Sequence, residues 1–257
     1  MGSLKSFLLL LKLRLNRIAL SLISPLWHLI PSPFRSIIRS LLWAFRVLSP
    51  DVAEVTKSNT KDAYDLVYRR ADLLAQYLEP ARLAFYEEIA DYCVQVIDSK
   101  HPRSASPFRI VDLGCGTGHL LHSLWQRLNR RLPVELWGID YAPSGTYRAR
   151  NLLPQARLLV ADIYNNPLPP GFFDLVLCVE TLEHLHFPAK AVSEMVRLCK
   201  PFGKIVITVP DGAKDNFGGH LNFWRASELE EFLAPYGLRE IVSVASGIAL
   251  RGLLVKE

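Results

Sequence analysis

Three alternating glycines, Gly114, Gly116 and Gly118, constrain the fold of this chain more than any other feature. The six residues before them, 108–113, are mostly apolar and include β-branched side chains, which is typical of a buried strand. After Gly118 the leucines recur with the spacing of one helix face, which predicts an α-helix. The glycines therefore lie at a strand-to-helix turn, where free backbone N–H groups and the positive end of the helix dipole can bind a ligand.

The spacing of the glycines bears on which ligand this turn binds. A dinucleotide site has the pattern Gly-x-Gly-x-x-Gly and places a pyrophosphate at the helix N-terminus. This chain has Gly-x-Gly-x-Gly instead, with Asp112 just ahead of it. A carboxylate beside the loop disfavours a pyrophosphate and favours a ligand that carries a cationic amino-acid group. A glycine-rich turn that binds no ligand is the alternative.

The residues Val-Asp-Leu-Gly-Cys-Gly-Thr-Gly at 111–118 resemble the first motif of the class I S-adenosylmethionine-dependent methyltransferases. The resemblance implies S-adenosyl-L-methionine as cofactor and a Rossmann-like, doubly wound α/β fold. Its seven-stranded sheet is expected to be mostly parallel, with an antiparallel last strand. The alternation of strand and helix patterns along the chain also predicts a parallel sheet covered on both faces. Strands are expected at 108–113, 134–139, 156–161, 173–179, 204–209, 238–245 and 248–255.

Acidic residues stand at or beside the ends of four predicted strands: Asp112, Asp140, Asp162 and Glu180. Ligands of an open α/β sheet bind outside the carboxyl ends of its strands. The resemblance implies that Asp140 accepts from the ribose hydroxyls, that Asp162 and Ile163 hold adenine, and that Asp112 favours the ammonium group. The cofactor-binding set that it implies is made up of Tyr64, Tyr68, Asp112, Gly114, Gly116, Gly118, Asp140, Tyr141, Asp162, Ile163 and Glu180.

The two tyrosines of this set come from a helical pattern that precedes the core, at 62–97, and is broken near Pro80. The segment Tyr-Asp-x-x-Tyr is similar to segments in small-molecule methyltransferases in which an aromatic residue closes over the cofactor. Tyr64 and Tyr68 lie four residues apart, so both face one side of a helix. The alternative is that they simply pack on a helix face.

Two further motifs lie on the predicted acceptor side. Residues 180–184 resemble the Glu-x-Leu-Glu-His signature of quinone-, lipid- and sugar-modifying methyltransferases, and 220–224 resemble a His-x-Asn-Phe-Trp loop. A hydroxyl acceptor needs a base, and histidine titrates near neutral pH. His220 is therefore the favoured catalytic residue, with His184 next to it in rank; structural histidines are the alternative. No metal-ligand set is predicted, because Asp211 and Asp215, which flank the second motif, are expected to be solvated loop acids.

The first 50 residues carry seven of the 30 Lys and Arg residues and no acid. Two amphipathic helical patterns, separated by prolines, make this segment a basic helical arm. Its longest uncharged stretch, residues 18–34, is shorter than the roughly 20 residues of a spanning helix and contains three prolines. The arm is expected to lie in a membrane interface. Packing on the protein itself or in a homodimer, and a true membrane span, are the alternatives.

The domain boundaries expected from these patterns are the arm at 1–50, a linker and helical lid at 51–107, and a methyltransferase core at 108–257. The net charge of +5 resides in the arm, so no nucleic-acid partner is expected. The four cysteines lack metal-ligand spacing and indicate reduced thiols in a cytoplasmic protein. The basic arm adds the expectation that the protein is peripheral on the inner face of a membrane.

The predicted function is S-adenosylmethionine-dependent methyl transfer to a small or lipid-linked acceptor, as O-methylation at a membrane surface. One alternative is N- or C-methylation of a sugar or natural product. Another, outside enzymes, is a cofactor-binding interaction subunit, which the full set of strand-end acids disfavours.

Overall fold

Seven strands form one sheet in the computed structural model of this chain, which describes residues 52–97 and 106–257. Strands β1 to β5 run parallel, and β7 runs antiparallel to both of its neighbours, β5 and β6. The strand order is β3-β2-β1-β4-β5-β7-β6, which confirms the predicted fold class. The strands are β1 (Phe108–Leu113), β2 (Val134–Asp140), β3 (Arg157–Val160), β4 (Phe173–Val179), β5 (Cys199–Pro210), β6 (Leu238–Val244) and β7 (Ala249–Val255).

Helices cover both faces of the sheet and precede it in the chain. The predicted linker is not without structure, because its first residues form a short helix that packs against the lid. The helices are α1 (Val52–Thr56), α2 (Lys61–Arg69), α3 (Ala71–Tyr77), α4 (Pro80–Val96), α5 (His119–Leu128), α6 (Pro143–Leu152), α7 (Pro188–Leu198) and α8 (Ala226–Leu233).

The core consists of two apolar layers, one on each face of the sheet. Ile110 of β1 packs in the layer that includes Leu121 of α5, whereas Val111 packs in the layer that includes Met195 of α7. Successive side chains of a strand point to opposite faces, so the apolar run of β1 fills both layers. The burial of β1, β2 and β4 on both sides places their carboxyl ends rigidly at one edge of the sheet.

A third, smaller apolar cluster attaches the lid helices to the core. It contains Tyr64, Val67 and Tyr68 of α2 and Ala142, which directly precedes α6. Polar contacts support the same interface: the backbone N–H of Ser144 donates to Asp65 Oδ1 at 2.7 Å. The lid therefore lies over the end of β2, where the predicted cofactor site is.

The prediction for residues 1–50 lies outside the described part of the chain. No helix within 52–97 or 106–257 is long and apolar enough to cross a membrane.

Candidate active site

A cavity of about 240 Å³ lies at the carboxyl edge of the sheet, between the lid and the core. Of the eleven residues predicted to bind the cofactor, ten line it, and His184 does so as well. The exception is Gly118, which forms the N-cap of α5 with a left-handed backbone (φ 79°). His220 is not among the lining residues, but its ring contacts that of His184. The fold therefore brings most of the predicted residues together around one cavity.

The glycine loop needs glycine for two distinct reasons. Gly116 and Gly118 have positive φ angles, which glycine adopts without steric cost. A Cβ atom on Gly116 would lie 3.0 Å from Tyr68 Oη, and one on Gly118 would lie 2.9 Å from Ala149 Cβ. Tight packing against the lid and α6 therefore leaves no room for a side chain at Gly116 or Gly118.

Asp140 at the end of β2 fixes the glycine loop from within the core. Its Oδ2 atom accepts from the Gly116 N–H at 2.8 Å, and its Oδ1 atom accepts from the Ala142 N–H at 2.8 Å. Burial raises the pKa of the Asp140 carboxyl to about 6, against the lowering effect of these two hydrogen bonds. Each carboxylate oxygen keeps a second lone pair, so the group can still accept from a ribose hydroxyl.

Asp112 at the carboxyl end of β1 is the least satisfied group of the cofactor side. Its side chain is buried, and its Oδ1 atom has no hydrogen-bond partner among the described residues. Burial, together with the charge of Asp140, raises the pKa of Asp112 to about 8. Buried polar atoms normally have partners, so an orphaned carboxylate oxygen that borders a cavity indicates a cationic ligand. The ammonium group of S-adenosylmethionine meets this requirement.

Asp162 and Ile163 lie beyond β3, at the far side of the same cavity. The Asp162 side chain is exposed and accepts from the Tyr164 N–H at 2.8 Å, whereas Ile163 is buried in the core. This arrangement presents a carboxylate next to an apolar surface, which suits a flat ring that carries an exocyclic amine.

The lid tyrosines connect the two sides of the site. Tyr64 and Tyr68 are buried, with ring centroids 6.3 Å apart, and burial raises the pKa of both hydroxyls above the usual range. The Tyr64 hydroxyl lies 3.1 Å from Nδ1 and 3.2 Å from Nε2 of His184. Asn59 adds a second link, because its Nδ2 atom donates to the His184 carbonyl oxygen at 2.6 Å.

Two histidines form the centre of the acceptor side. His184 ends a 3₁₀ turn after β4, and His220 lies in the loop after β5; their ring centroids are 4.7 Å apart. Burial, and then the neighbouring His220, lower the pKa of His184 to about 3, so this imidazole is neutral at neutral pH. His220 Nδ1 lies 2.6 Å from Asp215 Oδ2, an arrangement in which a carboxylate orients the ring.

The motif asparagine, Asn222, ties the loop of His220 to the turn of His184. Its Nδ2 atom donates to the Leu185 carbonyl oxygen at 2.7 Å, and its backbone N–H donates to the Glu183 carbonyl oxygen at 3.1 Å. The two acceptor-side motifs, which lie far apart in sequence, are thereby held as one unit.

Two acidic residues of the acceptor side were missed by the sequence analysis. Asp215 is not a solvated loop acid: its side chain is 10% exposed and bonds His220. Glu183 is 1% exposed, its Oε2 atom has no partner among the described residues, and burial and Glu180 raise its pKa. The signal for Glu183 was present, since it belongs to the Glu-x-Leu-Glu-His motif. Asp215 offered only its position five residues before a histidine.

The fold and the geometry of this site agree with the resemblance to the class I methyltransferases. In agreement, residues 111–207 match the model of a methyltransferase domain family. This match agrees with the resemblance of the glycine motif to the S-adenosylmethionine-dependent methyltransferases.

Individual relatives extend this assignment. The chain is 35% identical over 105 residues to tocopherol O-methyltransferase of Arabidopsis thaliana, a match that covers 38% of this chain and 29% of that protein. It is 29% identical over 198 residues to ubiquinone biosynthesis O-methyltransferase of Colwellia psychrerythraea, covering 66% of this chain and 75% of the relative. Norajmaline N-methyltransferase of Rauvolfia serpentina is 31% identical over 110 residues, a match that covers 40% of this chain and 36% of that protein. The chain thus spans about a third of the length of two of these three relatives.

Solved structures agree with the fold. A SAM dependent methyltransferase from Aquifex aeolicus superposes with a TM-score of 0.55 at 19% identity, covering 70% of this chain and 94% of that one. A plantazolicin methyltransferase in complex with SAH superposes with a TM-score of 0.58 at 16% identity, covering 79% of this chain and 98% of that one.

Proposed function

We propose that this chain transfers a methyl group from S-adenosylmethionine to a hydroxyl group of a small or lipid-linked molecule. The observation that carries the proposal is a buried Asp112 oxygen that has no hydrogen-bond partner among the described residues. It lies at a cavity lined by ten of the eleven predicted cofactor residues. Two of the relatives described above are named as O-methyltransferases and one as an N-methyltransferase, which supports transfer to a small molecule.

Each part of the cofactor has a matching group in the cavity. Asp112 would hold the ammonium, Asp140 the ribose hydroxyls, and Asp162 with Ile163 the adenine. When bound, S-adenosylmethionine supplies a methyl group on a sulfonium, which is already activated for displacement. The chain itself must therefore bind, orient and exclude water, and positioning of this kind can contribute about 7–11 kcal/mol.

A hydroxyl acceptor must lose its proton, and we infer that His220, with His184 beside it, is the group that removes this proton. With Nδ1 of His220 donating to Asp215, the lone pair of Nε2 is available for the hydroxyl proton. The cofactor, when bound, would supply its methyl group to the hydroxyl oxygen, and its sulfur would keep the electrons of the displaced carbon–sulfur bond. The hydroxyl proton passes to His220, and Asp215 stabilises the imidazolium. His184, neutral and next to His220, lies between this base and the cavity.

Two measurements test the proposal on the full-length chain. Calorimetry with S-adenosylmethionine should show one saturable site, and absence of binding would refute the proposed function outright. Incubation with methyl-labelled cofactor and separate pools of quinones, lipids and sugars should then place the label on a hydroxyl. Binding without transfer to any pool would favour the cofactor-binding subunit, and label on nitrogen or carbon would favour the other enzymatic alternative.

We further propose that residues 1–50 bring the enzyme to the surface of an anionic membrane. Support comes from the sequence of this arm, in which basic residues and apolar helix faces combine without any acid. Each Lys or Arg near such a surface contributes about 1 kcal/mol. The full-length protein should bind anionic vesicles and leave them as salt rises. Neutralising four arm residues should weaken binding more than neutralising four exposed basic residues of the core: Lys5, Lys12, Arg14 and Arg17 against Lys61, Arg130, Arg131 and Lys190.

Equal effects of the two sets would argue against the arm as a membrane anchor. In that case a concentration-dependent change of mass in solution, reduced by apolar-face substitutions in the arm, would favour the homodimer.

A further inference from the structure

We propose that Glu183, His184 and His220 bind a divalent transition-metal cation beside the cofactor cavity. Each of the three side chains offers one ligand atom, and these atoms all lie within 4.8 Å of one another. They come from two separate segments, the turn after β4 and the loop after β5. The fold therefore brings together a set of ligands that sequence spacing did not reveal.

The buried carboxylate of Glu183 is the first reason to expect a cation there. Its Oε1 atom lies 3.7 Å from His184 Nε2, while Oε2 has no hydrogen-bond partner within the described residues. Burying a carboxylate without partners is costly, and buried charges are normally paired or coordinate a metal. A cation between Glu183 and the two imidazoles would supply the missing partner.

The orientation of both imidazoles is the second reason. A proton on His220 Nδ1 is donated to Asp215, which leaves the Nε2 lone pair for a cation. A proton on His184 Nδ1 has an acceptor in the Gly219 carbonyl oxygen at 3.4 Å, so Nε2 can serve as the ligand atom. The Tyr64 hydroxyl lies 3.1 Å from Nδ1 and 3.2 Å from Nε2, so it can bond either nitrogen and need not occupy Nε2. Histidines that bind metals typically donate their other N–H to a carboxylate or a carbonyl in this way.

The chemistry of the ligand set selects the kind of cation. Mg²⁺ and Ca²⁺ prefer sites made only of oxygen ligands. Two imidazoles and one carboxylate are typical of catalytic zinc sites and of the 2-His-1-carboxylate sites of other first-row metals. Three protein ligands leave at least one coordination position open for a substrate oxygen.

The position of the site suggests its use, and this step rests on the proposed function. His184 lines the cofactor cavity, so an open coordination position next to it is within reach of the acceptor. A cation there would lower the pKa of the acceptor hydroxyl. With the cation bound, His220 donates its lone pair to the metal rather than accepting a proton, so the metal dependence of turnover decides between the two roles.

The test uses the full-length chain after treatment with a chelator. Calorimetric titration with Zn²⁺ should show one equivalent bound, and Co²⁺ should give visible absorption bands of a site with nitrogen ligands. Glu183→Gln and His220→Ala should weaken Zn²⁺ binding more than about 100-fold, and Asp215→Asn, which acts through His220, by about 10–100-fold. His122→Ala is the matched control, because this histidine lies on α5, outside the cluster, and bonds Gln126.

Binding that survives in both Glu183→Gln and His220→Ala, or a wild-type chain that binds no Zn²⁺, would overturn the proposal. Melting curves identify variants that fail to fold, and Glu183→Gln keeps the shape of the side chain for this purpose. Methyl transfer lost on chelation and restored by the ion would support the role in activating the hydroxyl. Transfer indifferent to chelation would overturn that role, and binding of S-adenosylmethionine by calorimetry reports the proposed function separately.

Discussion

The geometry of the cofactor side of the site is fixed mainly by the backbone of a strand and its following loop. The geometry of the acceptor side is fixed by contacts of side chains from distant segments. On the cofactor side, Asp140 holds the glycine loop by accepting from the Gly116 N–H, and Asp112 is the next-to-last residue of a largely buried strand. On the acceptor side, His184 and His220 meet through contacts to Asp215, Tyr64 and carbonyl oxygens. The first arrangement follows from local sequence, and the second exists only after the chain has folded.

This difference predicts where substitutions act. Changes on the cofactor side should alter cofactor affinity and stability, because the same groups hold the loop and the ligand. Changes on the acceptor side should alter the chemical step and leave cofactor binding intact.

The largest expected effect is on the chemical step. His220→Ala should slow single-turnover methyl transfer by about 10²–10⁴-fold, as the loss of a general base or of an essential ligand does. His184→Ala, which removes a neutral imidazole, should slow it less, and both variants should bind the cofactor as wild type does. Rapid-quench kinetics over a range of pH, with melting temperatures, measure the two effects. An early-melting His220→Ala with a normal rate for the folded fraction would show a purely structural histidine.

The next effect concerns Asp112 and the pH dependence of stability. The raised pKa keeps its carboxyl protonated in the folded chain up to about pH 8, whereas an unfolded chain loses this proton near 3.8. The folded state thus binds more protons in this window, and its stability falls as pH rises.

Asp112→Asn removes this loss of stability. Without cofactor, the variant should match wild type near pH 4 and gain on the order of 5 kcal/mol in the free energy of unfolding near pH 8. Urea denaturation at several pH values measures this gain. Asp162→Asn, at an exposed strand-end acid, is the control and should change little. A constant difference between wild type and Asp112→Asn at all pH values would contradict the assignment.

A smaller effect is expected for the ribose contact. Asp140→Ala should weaken S-adenosylmethionine binding by about 1.5–3 kcal/mol, because a charged acceptor is lost. The glycine loop should also become more mobile, since the Gly116 and Ala142 N–H groups lose their acceptor. Calorimetry gives the affinity, and amide exchange of the loop gives the second readout. An unchanged affinity would move the ribose contact to another residue.

The smallest effect tests whether the lid belongs to the site. Thr60 caps α2 by accepting from the Ala63 N–H at 3.3 Å, and Thr60→Ala should cost about 1 kcal/mol of stability. Because α2 carries Tyr64 and Tyr68, the substitution should also lower the protection of the lid from amide exchange. Ser227→Ala, at an exposed position of α8 outside the lid, should do neither. Equal effects of the two substitutions would show that the Thr60 cap does not hold the lid helices over the cofactor side.

Much of the fold could be predicted because its determinants are local. The bounds of β1 and β4 were predicted to the residue, since apolar runs mark them directly. Strand β5 begins five residues earlier than predicted, at Cys199, because Cys199 pairs with Phe173 of β4 ahead of a shift in register. Helix α1 was missed, since its five residues are too few to show a period.

The site divides in the same way. The glycine loop and the strand-end acids could be found because each lies next to its own strand. The bond between Asp215 and His220 could not, because nothing in a loop of mixed polar and aromatic residues distinguishes a buried acid from a solvated one. The burial of Glu183 depends on the return of the loop after β5, which no local pattern encodes.

The contacts of Asn222 have a consequence for protein engineering. Since this side chain joins the loop of His220 to the turn of His184, the two segments form one exchangeable unit. A graft of only one of them from a relative would leave the carbonyl of Leu185 without its donor. Libraries that aim at a new acceptor should therefore vary residues 180–185 and 215–224 together. Asn59 and Tyr64 should be varied with them, because both contact His184.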